Sequence, residues 1–188
     1  MANGPSTIIV IRHGEKPTDG DPKPPHGIDS AGEKHPSSLI TRGWQRAGAL
    51  AAILGGQQPP APLVRPTVLV SPDYGPETRF HRTSQTILPL AERLGLTPVH
   101  PARTGHEAHV VKHAILPATG HVLVCWEHHH IPDIMATLAD KLGISQLPSI
   151  ARKWPDDDFD SVLVVTVEPT PTVVVASQNA LAGDASPR

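Results

Sequence analysis

The sequence predicts an α/β fold in which helices cover both faces of a mainly parallel β-sheet. Short β-branched runs alternate with segments of helical periodicity, and three of the runs are almost entirely apolar, as parallel strands buried on both faces are. The last two runs are separated only by Glu-Pro-Thr-Pro, which predicts an antiparallel hairpin at one edge of the sheet. The expected strands lie at residues 6–11, 67–71, 97–101, 121–126, 161–167 and 172–177.

Thr41 is the predicted N-cap of the first helix, and a glycine ends each of the helices. Pro89 lies within the second helix, so we expect it either to kink that helix or to mark its first turns. Pro132 suits the first turn of the third helix, where the N–H group that proline lacks would have no partner. The three expected helices occupy residues 41–56, 82–95 and 131–143.

Length and composition narrow the class of protein. A chain of 188 residues, 38% hydrophobic and 18% charged, is expected to form one soluble globular domain. A formal charge of -2 without a basic block argues against nucleic acid as a partner. Neither an export signal nor a membrane-spanning run is expected, and the single cysteine, Cys125, suggests a buried thiol in a reducing cytoplasm. Composition leaves the oligomeric state open.

Two polar segments stand between the predicted elements. Proline occurs 22 times in the chain and clusters in residues 16–38, which predicts an irregular loop long enough to have a function such as covering a site. The acidic run Asp-Asp-Asp-Phe-Asp at 156–160 is expected to be a solvated turn before a strand rather than a cation site. Trp154 is expected to anchor the loop that contains this run.

Candidate functional residues follow three of the predicted strands. Arg12, His13 and Gly14 come directly after the first strand, where ligands bind in open α/β sheets. Arg82 begins the helix after the second strand, and His128 follows the strand at 121–126. A guanidinium group suits phosphate, an imidazole serves as nucleophile or base, and glycine lets the backbone approach a ligand closely. The strand ends therefore predict one anion-binding pocket.

The arrangement resembles the histidine phosphatase superfamily, which includes the cofactor-dependent phosphoglycerate mutases. The resemblance implies a phosphoglycerate mutase-like, three-layer α/β/α sandwich. It also implies that His13 becomes phosphorylated while Arg12, Arg82 and His128 hold the phosphoryl oxygens. It extends from residue 7 to about residue 167 and rests on Arg12-His13-Gly14-Glu15, the helical segment ITRGWQRAGAL, Arg82-x-x-Gln85-Thr86 and the strand ending at His128.

The expected enzyme is a phosphatase, a hydrolase that cleaves a phosphomonoester or a phosphoramidate through a phosphohistidine intermediate on His13. Two arginines and an imidazole supply the positive charge that phosphoryl transfer requires, so no metal or other cofactor is expected. His13 must be neutral to attack, and nearby guanidinium groups favour that form. Its other ring nitrogen is expected to donate to a backbone carbonyl. A small phosphorylated substrate or a phosphoprotein is the expected partner, contacted by Gly14, Glu15, Lys16 and His129.

The resemblance also implies a general acid, because many members of the family have a carboxylate between the second arginine and the second histidine, and Glu107 is the carboxylate of this chain that best matches that position. Glu127 and Glu15 are alternatives, and a phosphoramidate would require no strong acid because its leaving group departs more easily. The loop at 16–38 lacks the spacing expected of a mutase. Hydrolysis is therefore favoured, and mutase-type phosphoryl transfer is the alternative.

Two further alternatives belong to other classes. The consecutive histidines His128, His129 and His130 suggest a metal-binding module, although side chains at a strand end alternate in direction and seldom converge on one ion. A non-catalytic protein of the same fold that binds phosphorylated ligands is the second. Arg79 competes with Arg82 for the anion pocket unless it pairs with Glu77. Six other histidines are expected at the surface, namely His26, His35, His81, His106, His109 and His113.

Overall fold

The structure is a computed structural model that describes residues 4–17 and 24–184. Its described residues form a five-stranded sheet. The strands are β1 Pro5–Arg12, β2 Val68–Val70, β3 Gly120–Trp126, β4 Ser161–Thr166 and β5 Thr172–Ser177. Their order in the sheet is β2-β3-β1-β4-β5. Strands β1 and β2 both run parallel to β3, whereas β4 runs antiparallel to β1 and β5 antiparallel to β4. The predicted α/β fold with an antiparallel edge is confirmed.

The strand predicted at 97–101 is wrong. Only Val99 pairs with the sheet, in an isolated parallel bridge to Val70. Pro98 and Pro101 flank this position, and a proline has no N–H group to donate to a neighbouring strand, so the pairing extends no further.

The helices begin and end close to the predicted positions. Thr41 is the first helical residue and Ile40 the N-cap, so the predicted cap is one residue late. Pro89 lies in the interior of its helix rather than in the first turns, whereas Pro132 stands in a first turn as expected. The helices are α1 Thr41–Leu54, α2 Arg82–Leu94, α3 Glu107–Val110, α4 Ile131–Leu142 and α5 Ser149–Arg152, with a 3-10 turn at Gly75–Phe80 and a π turn at Val111–Ile115.

The core lies on both faces of the sheet, because alternate residues of a strand point to opposite faces. Ile8 and Val10 pack with α4 and α5 on one face, and Ile9 and Ile11 pack with α1 and α2 on the other. The molecule therefore has three layers. Cys125 is fully buried in the second cluster, and burial raises the pKa of its thiol. Among the helices of the described residues, none has the length and apolar character to cross a membrane.

Candidate active site

The parallel pairing of β1 with β3 brings the first two predicted site residues to His128. Arg12 stands opposite Trp126 in the register, so the residues that follow the two strands emerge at the same sheet edge. Nη2 of Arg12 lies 3.3 Å from Nδ1 of His128. The rings of His13 and His128 meet edge to face with centroids 5.9 Å apart. The structure thus brings together, at one edge of the sheet, residues that are 115 positions apart in sequence.

Arg12 is fully buried beneath the loop that precedes β4. Its Nη1 donates to the carbonyl oxygens of Pro155, Asp156 and Asp158 at 3.1, 2.8 and 3.1 Å. Its guanidinium also lies 3.9 Å from the ring centroid of Phe159. Burial lowers the pKa of Arg12 to about 10, against the opposing effect of Asp158 and neighbouring carboxylates. The side chain is therefore positively charged at neutral pH, and within the described residues its buried Nε has no hydrogen-bond partner.

His13 is buried and held in one tautomer. Its Nδ1 lies 2.7 Å from the carbonyl oxygen of Gly14, a distance at which the ring N–H donates to that oxygen. The lone pair is then on Nε2. Burial, followed by the positive charge of Arg12, lowers the pKa of His13 well below its ordinary value. The ring is neutral at pH 7, as expected from the sequence, although burial outweighs the guanidinium effect on which that expectation was based.

His128 is fixed in the opposite tautomer. Because Arg12 has only N–H groups, Nδ1 of His128 must accept from it, and the proton is on Nε2. Nε2 donates to Oδ1 of Asp156 at 3.0 Å. Burial and the charge of Arg12 lower the pKa of His128 to about 4, and the hydrogen bond from His128 lowers the pKa of Asp156. The pair is a neutral imidazole donating to an exposed carboxylate.

Arg82 lies at the first turn of α2, where its charge acts on the same pocket. It contributes to the lowered pKa of His13, after the larger effects of burial and Arg12. Its backbone N–H donates to the carbonyl of Ser37 at 3.1 Å. The competing Arg79 is exposed, and its guanidinium lies over the ring of Phe80 at 4.5 Å. The expected pairing partner of Arg79, Glu77, lies instead 3.8 Å from His35.

Gln85 and Thr86 of the helix α2 motif attach this helix to the loop after β1. Oγ1 of Thr86 accepts from the N–H of Gly14 at 2.8 Å and donates to the carbonyl of Arg82 at 2.6 Å. Oε1 of Gln85 accepts from the N–H of Leu39 at 2.9 Å. Both side chains are buried, so they hold the backbone of the pocket in place.

Gly14 is required by a neighbouring helix. A Cβ atom on Gly14 would lie 3.1 Å from both Cα and O of Gly43 in α1. The sequence suggested that this glycine allows a ligand to approach the backbone. In the structure the element that approaches it is α1, because Gly43 itself packs against the backbone of Glu15.

Glu15 belongs to a buried ion-pair network beside the pocket. Its carboxylate lies 2.8 Å from Nη2 of Arg46 and 3.1 Å from Nε of Arg42. Arg46 also lies 2.7 Å from Asp184, and although burial alone would lower its pKa, the hydrogen bonds to Asp184 and Glu15 raise it. The predicted substrate contact of Glu15 therefore competes with two guanidinium partners. The sequence did not identify Arg46, since nothing in its helical position marks it as buried and charged.

The loop predicted at 16–38 is described only in part, since residues 18–23 lie outside the described residues. Lys16 is half-buried. Later in the loop, His35 stacks on Phe80 with ring centroids 4.6 Å apart, and Ile28 accepts a hydrogen bond from the Trp44 indole at 2.8 Å. The described part is thus packed against the start of α1 and the segment leading to α2.

Glu107, the predicted general acid, is directed toward β3 and α4. Its buried Oε1 accepts from the indole of Trp126 at 3.0 Å and from the N–H of Gly105 at 2.8 Å, and it lies 3.3 Å from Nδ1 of His130. The structure does not bring it to His13 by any hydrogen bond among the described residues. The alternative Glu127 accepts a hydrogen bond from the hydroxyl of Tyr74.

Tyr74 and His81 connect Glu127 to the second arginine. Their rings stack with centroids 3.5 Å apart, and His81, expected at the surface, is half-buried. Burial lowers the pKa of His81, with the charges of Glu127 and Arg82 acting on it in opposite directions. Glu127 is therefore the predicted carboxylate that shares its surroundings with Arg82.

The three consecutive histidines separate into two groups, with His128 and His129 near Asp156 and His130 near Glu107. His128 is buried, whereas 71% of the His129 side chain is exposed; their ring centroids are 3.9 Å apart. Nε2 of His129 lies 3.9 Å from Oδ1 of Asp156, at the edge of the pocket. His130 turns to Glu107. Residues 128–130 form a turn that leads into α4, which explains why the three imidazoles do not converge.

The acidic run at 156–160 is the main part of the site that the sequence misjudged. It was expected to be a solvated turn, but Phe159 lies on Arg12 and Asp156 binds His128. Trp154 anchors the loop as expected, with its indole donating to the carbonyl of Asp158 at 2.8 Å. An aromatic residue inside an acidic run was the available signal that this segment is partly buried.

The fold agrees with the three-layer α/β/α sandwich that the sequence resemblance implies. The chain is similar over 90% of its length to SixA from Agrobacterium tumefaciens, a candidate phosphohistidine phosphatase, at 14% identity and a TM-score of 0.51, covering 96% of that chain. A mycobacterial glucosyl-3-phosphoglycerate phosphatase matches at 17% identity with a TM-score of 0.47, over 94% and 99% of the two chains. Phosphoglycerate mutase from Plasmodium falciparum matches at 15% identity with a TM-score of 0.49, over 97% and 96%.

Comparisons at the level of sequence give no relative. No protein-family model matches the chain, and no curated protein matches it. At the identity found, the likeness to a solved structure establishes the fold alone.

Proposed function

We propose that the protein is a phosphatase that hydrolyses a phosphomonoester or a phosphoramidate through a phosphohistidine on His13. The observation that carries this proposal is the hydrogen bond of 2.7 Å from Nδ1 of His13 to the carbonyl of Gly14. It leaves an unprotonated Nε2 on a buried, neutral imidazole beside two arginines. An attacking nitrogen requires this arrangement, and phosphoryl transfer depends mainly on such positioning and on positive charge.

In the proposed reaction, Nε2 of His13 forms a bond to phosphorus as the bond from phosphorus to the leaving group breaks. Arg12, Arg82 and the Nε2–H of His128 donate to the phosphoryl oxygens. Water then attacks phosphorus, the bond to Nε2 breaks, and inorganic phosphate is released. Nε of Arg12, which is buried and has no hydrogen-bond partner among residues 4–17 and 24–184, supports the part of Arg12 in this reaction, since an unsatisfied donor gains a partner when an anion binds.

Substrate binding must displace a carboxylate of the chain itself. Oδ1 of Asp156 accepts a hydrogen bond from Nε2–H of His128. In the proposed reaction this same N–H group donates to the phosphoryl group. The Asp156 side chain is 83% exposed, so it leaves for solvent without breaking a packed core. We therefore assign to Asp156 the position that a phosphoryl oxygen takes in the complex.

Glu127 is the proposed proton donor to the leaving group, in place of Glu107. Glu107 is held by Trp126 and His130, whereas Glu127 lies with Tyr74 close to Arg82. Glu15, the third candidate, is paired with arginines. The substrate we propose is a small phosphorylated molecule or a phosphoprotein, and the similarity in fold to SixA makes phosphohistidine one of the compounds to test.

A substrate screen with trapping of the intermediate tests the proposal. The panel contains sugar phosphates, nucleotides, phosphoamino acids and phosphohistidine, with p-nitrophenyl phosphate as a general probe. We expect acid-labile phosphate on the wild-type protein and none on His13→Ala, which loses turnover. His113→Ala, a change at an exposed histidine, is the matched control and keeps full activity. Full activity of His13→Ala would refute the mechanism, and phosphate binding without turnover would favour the non-catalytic alternative.

A further inference from the structure

A second group of side chains with metal-ligand chemistry lies on the other side of the histidine run from His13. The ligand atoms of Glu107, His130 and Asp133 all lie within 4.8 Å of one another. We propose that these three side chains bind a divalent transition-metal ion, and that Zn²⁺ is the ion of best fit. The proposal does not depend on the phosphatase mechanism, because none of the three residues has a part in it.

Two adjacent helices supply the three ligands. His130 directly precedes α4 and Asp133 is the third residue of that helix, so the two lie three positions apart and face the same side. Glu107 is the first residue of α3, which packs against α4. Two of the three ligands are therefore on helices, and the third is the residue that directly precedes one of them.

Distances within the group fit coordination of one ion. Nδ1 of His130 lies 3.3 Å from Oε1 of Glu107. In a tetrahedral zinc site with bonds of about 2.0 to 2.1 Å, neighbouring ligand atoms are separated by roughly 3.3 Å. Oε1 is also held by the Trp126 indole and the N–H of Gly105. Such supporting hydrogen bonds are the usual way in which a protein orients a metal-binding carboxylate.

The charge of the group favours a cation. The group contains two carboxylates, Glu107 and Asp133, and one imidazole, His130. Even a charged imidazole would balance only one of the two negative charges. Glu107 is only 4% exposed, which makes solvent a poor source of that compensation. A divalent ion would neutralise both carboxylates at once.

An open cavity of about 500 Å³ gives an ion access to the group. Glu107 and Asp133 line it, together with the exposed His106 and His109. Water or one of these imidazoles can complete the coordination that three protein ligands leave open.

The neighbouring group His128, His129 and Asp156 is a weaker competitor for a metal. Nδ1 of His128 accepts from the buried guanidinium of Arg12, so a positive charge already lies 3.3 Å from that ring. A cation on Nε2 would meet repulsion from this charge. The two groups therefore make opposite use of the histidine run, one for an anion and the other for a cation.

Calorimetric titration of untagged, chelator-treated protein with Zn²⁺ tests the site. We expect one ion per chain, and we expect His130→Ala and Asp133→Asn each to weaken binding by at least about 100-fold, since even the loss of a supporting group costs 10- to 100-fold. Asp140→Asn, at an exposed carboxylate on the same helix, is the matched control and binds as wild type does. Trp126 fluorescence should change on binding, because its indole contacts Glu107.

Variants of the competing group His128, His129 and Asp156 show which of the two groups binds the ion. Asp156→Asn and His129→Ala should leave zinc affinity unchanged. The proposal is overturned if no stoichiometric binding occurs, or if binding survives Asp133→Asn but is lost in Asp156→Asn. Circular dichroism and thermal unfolding of the metal-free variants show whether each one folds, so that loss of a ligand is separated from loss of structure.

Discussion

Oδ1 of Asp156 accepts a hydrogen bond of 3.0 Å from Nε2 of His128, while Nδ1 of the same ring accepts from Arg12 at 3.3 Å. The guanidinium of Arg12 thus fixes the tautomer of His128, and in that tautomer the Nε2–H group donates a hydrogen bond to the Asp156 carboxylate. In the proposed mechanism, a phosphoryl oxygen and the Asp156 carboxylate are alternative acceptors of this hydrogen bond.

Asp156→Asn should strengthen phosphate binding. The amide removes a negative charge from the position where the phosphoryl group is expected, and because solvent screens the charge of an exposed side chain, we expect KM to fall by only roughly two- to fivefold. Steady-state kinetics with p-nitrophenyl phosphate measure this. Asp157→Asn, at the adjacent exposed residue, is the control and should change KM less. A higher KM in Asp156→Asn would mean that the carboxylate assists binding.

Glu127→Gln should slow the cleavage of substrates with strongly basic leaving groups. General acid catalysis contributes typically 10²- to 10⁴-fold to the rate, so we expect kcat for an alkyl phosphate to fall by roughly 100-fold or more. The loss of kcat for p-nitrophenyl phosphate should be much smaller, because its leaving group departs without a proton. Glu107→Gln should leave both rates near wild type. Tyr74→Phe keeps the Glu127 carboxylate but removes the hydroxyl that donates to it. Comparison of this variant with Glu127→Gln separates the loss of the acid from the loss of this hydrogen bond. Equal losses on both substrates would exclude Glu127 as the acid.

Stability should fall as the pH drops from about 6.5 toward about 4, the lowered pKa of His128. Between these values the unfolded chain takes up a proton that the folded ring does not, so acid favours unfolding, and the stabilisation is complete only above pH 6.5. We expect the loss due to His128 to be on the order of 2 kcal/mol. Urea unfolding of wild type and His128→Gln at pH 7.5 and at pH 4.5 measures it. An equal loss in both proteins would contradict the assignment.

Gly43→Ala should destabilise the fold, because a Cβ at this position would lie 2.5 Å from the backbone oxygen of Glu15. Overpacking of this kind costs about 1 to 3 kcal/mol. Gly48→Ala in the same helix is a matched control, since its Cβ would meet nothing within 4 Å, and replacing an exposed helical glycine by alanine should stabilise by about 0.5 to 1 kcal/mol. Chemical denaturation should therefore give opposite signs for the two variants.

Local patterns and strand order were sufficient to predict the fold and the centre of the site. The β-branched runs and helical periodicities fixed the main elements, while the strand at 97–101 failed because its prolines cannot extend a sheet. Arg12, His13 and His128 could be placed together because the carboxyl ends of neighbouring parallel strands meet at one edge.

Tertiary structure alone decided the partners of the carboxylates. Asp156 on His128, Glu15 on Arg46 and Glu107 on Trp126 are contacts between residues 28, 31 and 19 positions apart. Each contact involves a loop or a helix end, where no periodicity indicates the direction of a side chain. The sequence by itself determined which groups stand at the sheet edge. The packing of the loops against that edge decided which of them face a guanidinium and which, by our proposals, face an anion or a metal ion. The physical reason is that a buried charge, such as that of Glu15 or Glu107, needs a partner nearby.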